Sequence, residues 1–392
     1  MKLNIADFEL PRELERYRMA VKEFVETELE PIAEEIEATN RTPERLLPLL
    51  REAGLLRLRL PREHGGIGLT FSQHWPILEE IDKTHGTIRM LVHGFLNNKW
   101  AMFHLHGTEE QKRKYLPLWL KGGYCCFALT EPGTGTGVDI RATATRHGGV
   151  YRLNGAKHLI TFADIAKVFC VVAYTGDRSL GAKGISMLLV EPGTAGFTIE
   201  PQKDMMGLRG CFHGILRFRD CEVPVSNLVG KEGEGLDIAL RTFLDASRLG
   251  IAVSCLGAAQ RMLELSTKYA QQRVTFGRPI GERQAVQQML ADMATSVYAL
   301  RCMVSDCARK YDEGQPVAVE ASMCKLFGLE ATRQVSDAAL LIHGGVGCTK
   351  AFPIERIYRD VRQLWFEEGT PTIQRLVIGR DVLGKRIRAI GK

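Results

Sequence analysis

The texture of the chain changes twice, and that order limits the folds open to it. Residues 1 to about 122 read as helical, residues 124 to about 229 as strands, and residues from 233 onward as helices again. An α, β, α order with uninterrupted blocks excludes an alternating βαβ sheet and points to an α+β architecture of segregated layers. Helical periodicity begins after Pro11, a residue suited to the first turn of a helix. Leu14, Tyr17, Val21 and Phe24 then fall three or four apart on one stripe, and the Glu-rich run from Glu28 to Glu37 continues it with a solvated face. Further helices are predicted over Pro43–Ala53, Ser72–Thr84 and Thr87–His106. In the middle block, Val150–Leu153, Val168–Tyr174, Ile185–Val190, Phe197–Glu200 and Ile215–Phe218 are short β-branched and aromatic runs. Turn signals at Leu153-Asn154-Gly155 and Glu191-Pro192-Gly193 separate them, and a spacing near ten residues predicts a β-sandwich or barrel. The last block predicts long helices over Gly235–Arg273, Arg283–Asp312, Val317–Ile342 and Pro371–Arg388, with a shorter one at Ile354–Asp360. Long helices with short connections form an antiparallel bundle. The expected domains are therefore 1–122, 123–232 and 233–392.

Composition narrows the function. At 392 residues with a net charge of +6, Lys and Arg are scattered, so nucleic acid is not the expected partner. A mild positive balance suits an anionic substrate or a phosphate-bearing cofactor. Ten cysteines include no Cys-x-x-Cys pair and no zinc spacing. The first residues carry no signal or transit pattern, and no run of 18 apolar residues occurs. The expectation is a cytoplasmic protein without a membrane span.

Three loops carry chemistry. Phe366-Glu367-Glu368-Gly369-Thr370 sets a carboxylate beside a glycine that can end a helix sharply. Glu368 or Glu367 is then either a base projecting into a cavity or one of two solvated charges. Thr130-Glu131-Pro132-Gly133-Thr134-Gly135-Thr136-Gly137 offers hydroxyls and open amides to a phosphate or a planar edge, or is an ordinary loop. Arg273-Val274-Thr275-Phe276-Gly277-Arg278 interrupts the helical block. Its arginines suit a pyrophosphate and Phe276 an adenine, or the segment is a solvated helix–helix turn.

Taken together, the Thr-Glu-Pro-Gly-x-Gly loop, the Arg-x-x-Phe-Gly turn, Gly344-Gly345-x-Gly347 and the terminal Glu-Gly-Thr resemble the acyl-CoA dehydrogenase family. Tyr115-Leu116-Pro117 and Glu222-Val223-Pro224 fit at the borders of the β block. The resemblance covers nearly the whole chain. It implies an N-terminal helical domain, a β-sandwich and a C-terminal four-helix bundle holding FAD. It implies oxidation of an acyl-CoA to the 2,3-enoyl-CoA, in which a base removes the α-proton while hydride leaves the β-carbon for flavin N5. Glu368 would be that base. The place where a branch of the family carries its base instead holds Ser247, followed by Arg248. Phe127, Leu129, Thr130, Gly135, Thr136, Ile160 and Thr161 would lie along the flavin. Gly344, Gly345, Thr370 and Thr372 would complete the pocket, and Arg273 and Phe276 would reach the FAD of a neighbouring subunit. Thr136, Asp245, Arg248 and Gly369 would meet the substrate. The resemblance also implies a homo-oligomer, usually a tetramer, and an electron-transfer flavoprotein or similar acceptor.

Departures from the family pattern are Leu159 for a tryptophan, Thr136-Gly137 for Ser-Asp, Glu367 for a tyrosine and Leu341 for a glutamine. They leave room for a specialised member. Other readings are the same chemistry on a carrier-protein-bound acyl group, a flavin monooxygenase or oxidase on this fold, and a flavin-binding scaffold without catalysis. His93, Asn97, Asn98 and Lys99 fall where the family lines its acyl pocket. They either favour a short or polar acyl group or face solvent.

Overall fold

The computed structural model describes residues 11–135 and 137–384. Helix Pro11–Phe24 runs through a π-helical turn at Val25–Leu29 into helix Glu30–Thr39. Tyr17, Val21, Val25, Leu29, Ile32 and Ile36 are buried along it, which is the predicted stripe extended by three turns. Thr70 and Gln73 form a capping box that opens helix Phe71–Ile81. The single helix expected over Thr87–His106 is two helices, Gly86–Leu96 and Lys99–His106. The chain leaves helical geometry at Asn97, whose ψ is 162°. Asn98 then accepts from buried Arg59 at 3.0 Å through Oδ1. Asparagine breaks helices because its amide competes for nearby polar groups. Every residue of Gly86–Leu96 is buried, so this helix has no solvent face.

The strands are β1 Tyr124–Ala128, β2 Thr143–His147, β3 Val150–Thr161, β4 Ala166–Tyr174, β5 Ile185–Val190, β6 Phe197–Pro201, β7 His213–Pro224 and β8 Leu228–Val229. They pair in the order β6-β7-β3-β2-β4-β5-β8, with β1 parallel to β4. Among the described residues, strand pairing joins the two halves at Thr143 and Tyr174. They then close on one another as a sandwich. Phe169 of β4 meets Phe197 of β6 edge-on at 5.1 Å, and Phe197 stacks on Phe218 of β7 at 5.0 Å. The turn expected at Leu153-Asn154-Gly155 is instead a bulge inside the long strand β3. Gly155 has φ +134°, and a Cβ there would come within 2.9 Å of Ala142. Glycine relieves that crowding, so it marks a bulge here rather than a reversal. A second register shift, between Lys157 and Ile160, turns the end of β3, and Leu159 takes a φ of +56°.

The bundle consists of helices Asp245–Gln272, Gln284–Asp312, Ala318–His343 and Pro371–Val382. A π-helical segment, Ile238–Leu244, leads into the first of them. The last helix stops at Val382, short of the expected Arg388: Leu383 caps it and Gly384 turns the chain with a φ of +63°. Residues 385–388 lie outside the described residues. Helices Asp245–Gln272 and Ala318–His343 pack closely. Ala252, Ala259, Ala331 and Ala339 are buried along them, and small side chains let backbones approach. Among the described residues, no helix is long and apolar enough to cross a membrane.

Candidate active site

The three layers meet around a cavity of about 640 Å³. Its walls come from helix Gly86–Leu96, the ends of β1 and β3, the Ile238–Leu244 segment, the start of helix Asp245–Gln272 and the turn Phe366–Thr370. Glu368 lies in that turn with φ +51°. A left-handed glutamate costs about 1 kcal/mol and persists only where its surroundings hold it. Here three side chains hold the backbone. Buried Lys325 donates to the carbonyls of Glu367 and Gly369, one on each side of Glu368. Gln374 Nε2 donates to the carbonyls of Glu368 at 3.2 Å and Gly369 at 3.0 Å. Arg248 Nε reaches the Glu368 carbonyl at 3.4 Å.

The two carboxylates face different partners. Glu368 Oε1 accepts from Ser247 Oγ at 2.8 Å, and His93 Nε2 lies 3.4 Å from the same hydroxyl. Burial pushes the Glu368 carboxyl above the usual carboxylate range. The Glu367 charge adds to that push, while Ser247, Lys325 and Arg248 oppose it. Glu367 is clasped by Arg89 in a two-pronged pair at 2.7 and 2.9 Å. Burial, the largest single influence, would raise its carboxyl, but the charge and hydrogen bonds of Arg89, joined by His93 and Lys325, together hold it below the ordinary value. His93 is pushed down to about 3, first by burial and then by the Arg89 charge, so its imidazole is neutral. Burial raises Asp245 to about 6 against the opposing charge of Arg248, whose Nη1 lies 2.9 Å from Asp245 Oδ1. Burial also lowers Lys325 to about 8, against the pull of both glutamates.

The cavity gathers Phe127, Leu129, Thr130, Ile160, Thr161, Arg248, Glu368, Gly369 and Thr370 from the expected set. It does not gather the rest. Asp245 backs Arg248 without lining the cavity. Gly135 is exposed, its N–H donating to Asp139 at 2.5 Å, and Thr136 lies outside the described residues. Thr372, Gly344 and Gly345 are exposed elsewhere. Arg273 and Phe276 form an exposed ribbon; Phe276 is 96% exposed, with the Arg283 guanidinium 5.3 Å from its ring centre. Among the departures, Leu159 stands at the cavity edge, Leu341 points to solvent, and Glu367 is an ion-paired wall residue. His93, Asn97 and Lys99 line the cavity, and Asn98 is buried behind them, so the solvent-facing alternative does not hold. Sequence reasoning missed Arg89, Lys325 and Gln374. The available signal was a buried-type cation inside an apolar helix, as at Cys324-Lys325-Leu326.

Phe127, Leu129, Leu159 and Ile160 supply flat apolar surface, while the hydroxyls of Thr130, Thr161 and Thr370 supply a polar margin. That donor set suits a fused aromatic ring with hydrogen-bonding edges. Comparison with known proteins agrees. Profiles of the acyl-CoA dehydrogenase N-terminal, middle and C-terminal domains match residues 11–123, 126–221 and 233–383. An acryloyl-CoA reductase (NADH) of Anaerotignum propionicum is 39% identical over 381 residues, covering 96% of each chain. A short-chain specific acyl-CoA dehydrogenase of Clostridium acetobutylicum is 37% identical over 378 residues, covering 96% of this chain and 99% of that one. The solved butyryl-CoA dehydrogenase from Megasphaera elsdenii superposes with a TM-score of 0.91 at 31% identity, covering 96% of this chain and all of that one. The chain belongs to the acyl-CoA dehydrogenase family, and its chemistry is the FAD-dependent dehydrogenation of an acyl-CoA at a CH–CH bond.

Proposed function

We propose that Glu368 is the base that removes the α-proton of the acyl-CoA. The supporting observation is its posture: a left-handed glutamate, fixed by Lys325 and Gln374, presents to the cavity a carboxylate whose proton affinity burial has raised. A base of raised pKa is a better match for a weakly acidic carbon acid. Phe127, Leu129, Thr130, Ile160, Thr161 and Thr370 would hold FAD, which would supply the hydride acceptor for the β-carbon. Ser247 orients the carboxylate through its 2.8 Å bond. The Glu368 N–H has no acceptor among the described residues, which leaves it as a donor for the thioester oxygen as enolate charge develops. Arg248, paired to Asp245, and Gly369 border the thioester.

Replacing Glu368 with Gln keeps the shape and removes the base. Anaerobic bleaching of the flavin by acyl-CoA should slow by about 10² to 10⁴-fold with FAD still bound. Wild-type bleaching rates in that variant would sink the assignment. The same raised carboxyl serves the reverse reaction, since its protonated form can return a proton to the α-carbon. The similarity to a protein named acryloyl-CoA reductase makes that direction a second reading.

Electrons leave to an electron-transfer flavoprotein or a similar acceptor, and the exposed Leu159 at the cavity edge is the side from which it would approach. Arg273, Phe276, Gly344 and Gly345 complete the FAD site of a neighbouring copy in a homotetramer. Their exposure in a single chain supports this reading. Ten free cysteines support a reducing cytoplasm.

A further inference from the structure

The charged side chains around the cavity cancel in pairs, with one exception. Arg89 holds Glu367, Asp245 holds Arg248, and the charge of Lys325 faces Glu368. Lys99 is left over. It is 4% exposed, lines the cavity, donates to the Cys125 carbonyl at 2.6 Å, and sits 4.4 Å from the centre of the Tyr124 ring. A carbonyl and a ring face soften the loss of water but bring no counter-charge. No carboxylate among the described residues forms an ion pair with it. A buried ammonium with protons to spare calls for an anion.

Its place relative to the base is set by the helix. His93 touches Ser247, which touches Glu368, so His93 marks the reacting end of the cavity. Met90, His93, Gly94 and Asn97 recur three and four apart and share the wall. Asn97 is therefore one turn, about 6 Å, beyond His93, and Lys99 opens the next helix. Asn97 Oδ1 is buried and has no partner. Tyr124 spans the wall between them: a side chain at Gly94 would collide with its hydroxyl, and its ring lies under Lys99. Arg89, the other cation here, has both terminal nitrogens taken by Glu367. An acyl chain with its α-carbon at Glu368 thus runs, within a few carbons, into an ammonium and an amide rather than an alkyl wall.

We propose that this end of the cavity is a subsite for an anionic oxygen terminus, and that the enzyme acts on a short acyl-CoA whose chain ends in a carboxylate paired with Lys99. Asn97, with its amide turned, gives that carboxylate a second donor. The inference rests on Glu368 being the base, because that fixes which end of the chain faces Lys99.

The test compares chains of equal length on purified, FAD-loaded enzyme under anaerobic conditions: glutaryl-CoA against valeryl-CoA, and adipyl-CoA against hexanoyl-CoA. At least one carboxylated member should show a kcat/KM roughly tenfold or more above its alkyl partner, the scale of one charge-assisted hydrogen bond. In Lys99→Met that ratio should fall toward one. Because Lys99 also holds the Cys125 carbonyl, Asn97→Ala provides a second variant that leaves it in place, and it should lower the ratio several-fold. Preference for the alkyl chains, or a ratio unchanged in both variants, would overturn the proposal. If none of these thioesters bleaches the wild-type flavin while another acyl-CoA does, the subsite proposal is overturned, and Glu368→Gln assayed with that other acyl-CoA tests the base assignment separately.

Discussion

Glu367 and Glu368 are neighbours in sequence and identical in chemistry, yet they belong to two different walls of the cavity. One faces Arg89 on the helical wall and is held ionised below the ordinary carboxylate range. The other faces Ser247 on the bundle wall and is pushed above it. The left-handed backbone at Glu368 separates them, sending consecutive side chains to different surroundings. Both are largely shielded from water, so the difference comes from the partners: the Arg89 guanidinium, with help from His93 and Lys325, overcomes desolvation at Glu367, whereas Ser247, Lys325 and Arg248 do not overcome it at Glu368. A pair of like charges has thereby been split into a structural anion and a reactive one.

Five changes would break or sharpen that contrast. The largest effect is expected from Arg89→Met, which strands the Glu367 charge. Breaking a buried pair on one side costs about 3–5 kcal/mol, visible as a lower denaturation midpoint, and Arg89→Met with Glu367→Gln should recover much of it. If the double variant is no more stable than the single, the pair is not what stabilises this wall. Lys325→Met comes next. It removes two anchors of the turn, and a loosened base should lose about 10-fold or more in kcat while KM moves less. A change confined to stability would restrict Lys325 to a structural role.

Ser247→Ala should act on pH dependence. Its hydrogen bond favours the carboxylate form, so losing it raises the Glu368 pKa further. The rising limb of kcat/KM should then move to higher pH, by about one unit or less; a limb that stays put would exclude Glu368 as the titrating group. The smallest effect concerns stability. A carboxyl whose folded pKa is raised opposes folding at neutral pH and ceases to do so as pH falls through that value. Glu368→Gln should therefore raise the thermal midpoint at pH 7 by a few degrees and leave it near wild type in acid. Glu367 has the opposite sign, since its contribution is present above the unfolded pKa and lost as pH falls through the folded one. Glu367→Gln should accordingly lower the midpoint at pH 7.

The α, β, α order and the Glu-Glu-Gly-Thr turn could be read from the sequence because both are local patterns. Periodicity marked the bundle helices to within a residue or two at most ends, as at Gln284–Asp312. Strands β1 and β2 were missed because their stability comes from pairing with β4 and β3, which no local signal reports. Gly155 misled because glycine serves a bulge as well as a turn. At the site, loop residues with polar side chains were legible, whereas Arg89 and Lys325 were not. Their partners lie 278 positions away for Arg89 and 42 and 44 positions away for Lys325. For the same reason the sequence leaves Glu367 open between a surface charge and a neighbour that tunes the base; the structure makes it a neighbour whose charge raises Glu368.

Phe276, almost fully bare in the single chain, has a bearing on concentration. If its ribbon closes the cofactor site of another copy, occupancy by FAD and association of subunits become linked equilibria, each favouring the other by mass action. Dilution would then act as an inhibitor: a preparation that is yellow and active at high protein concentration would lose its flavin as the copies part, and added FAD would draw them back together.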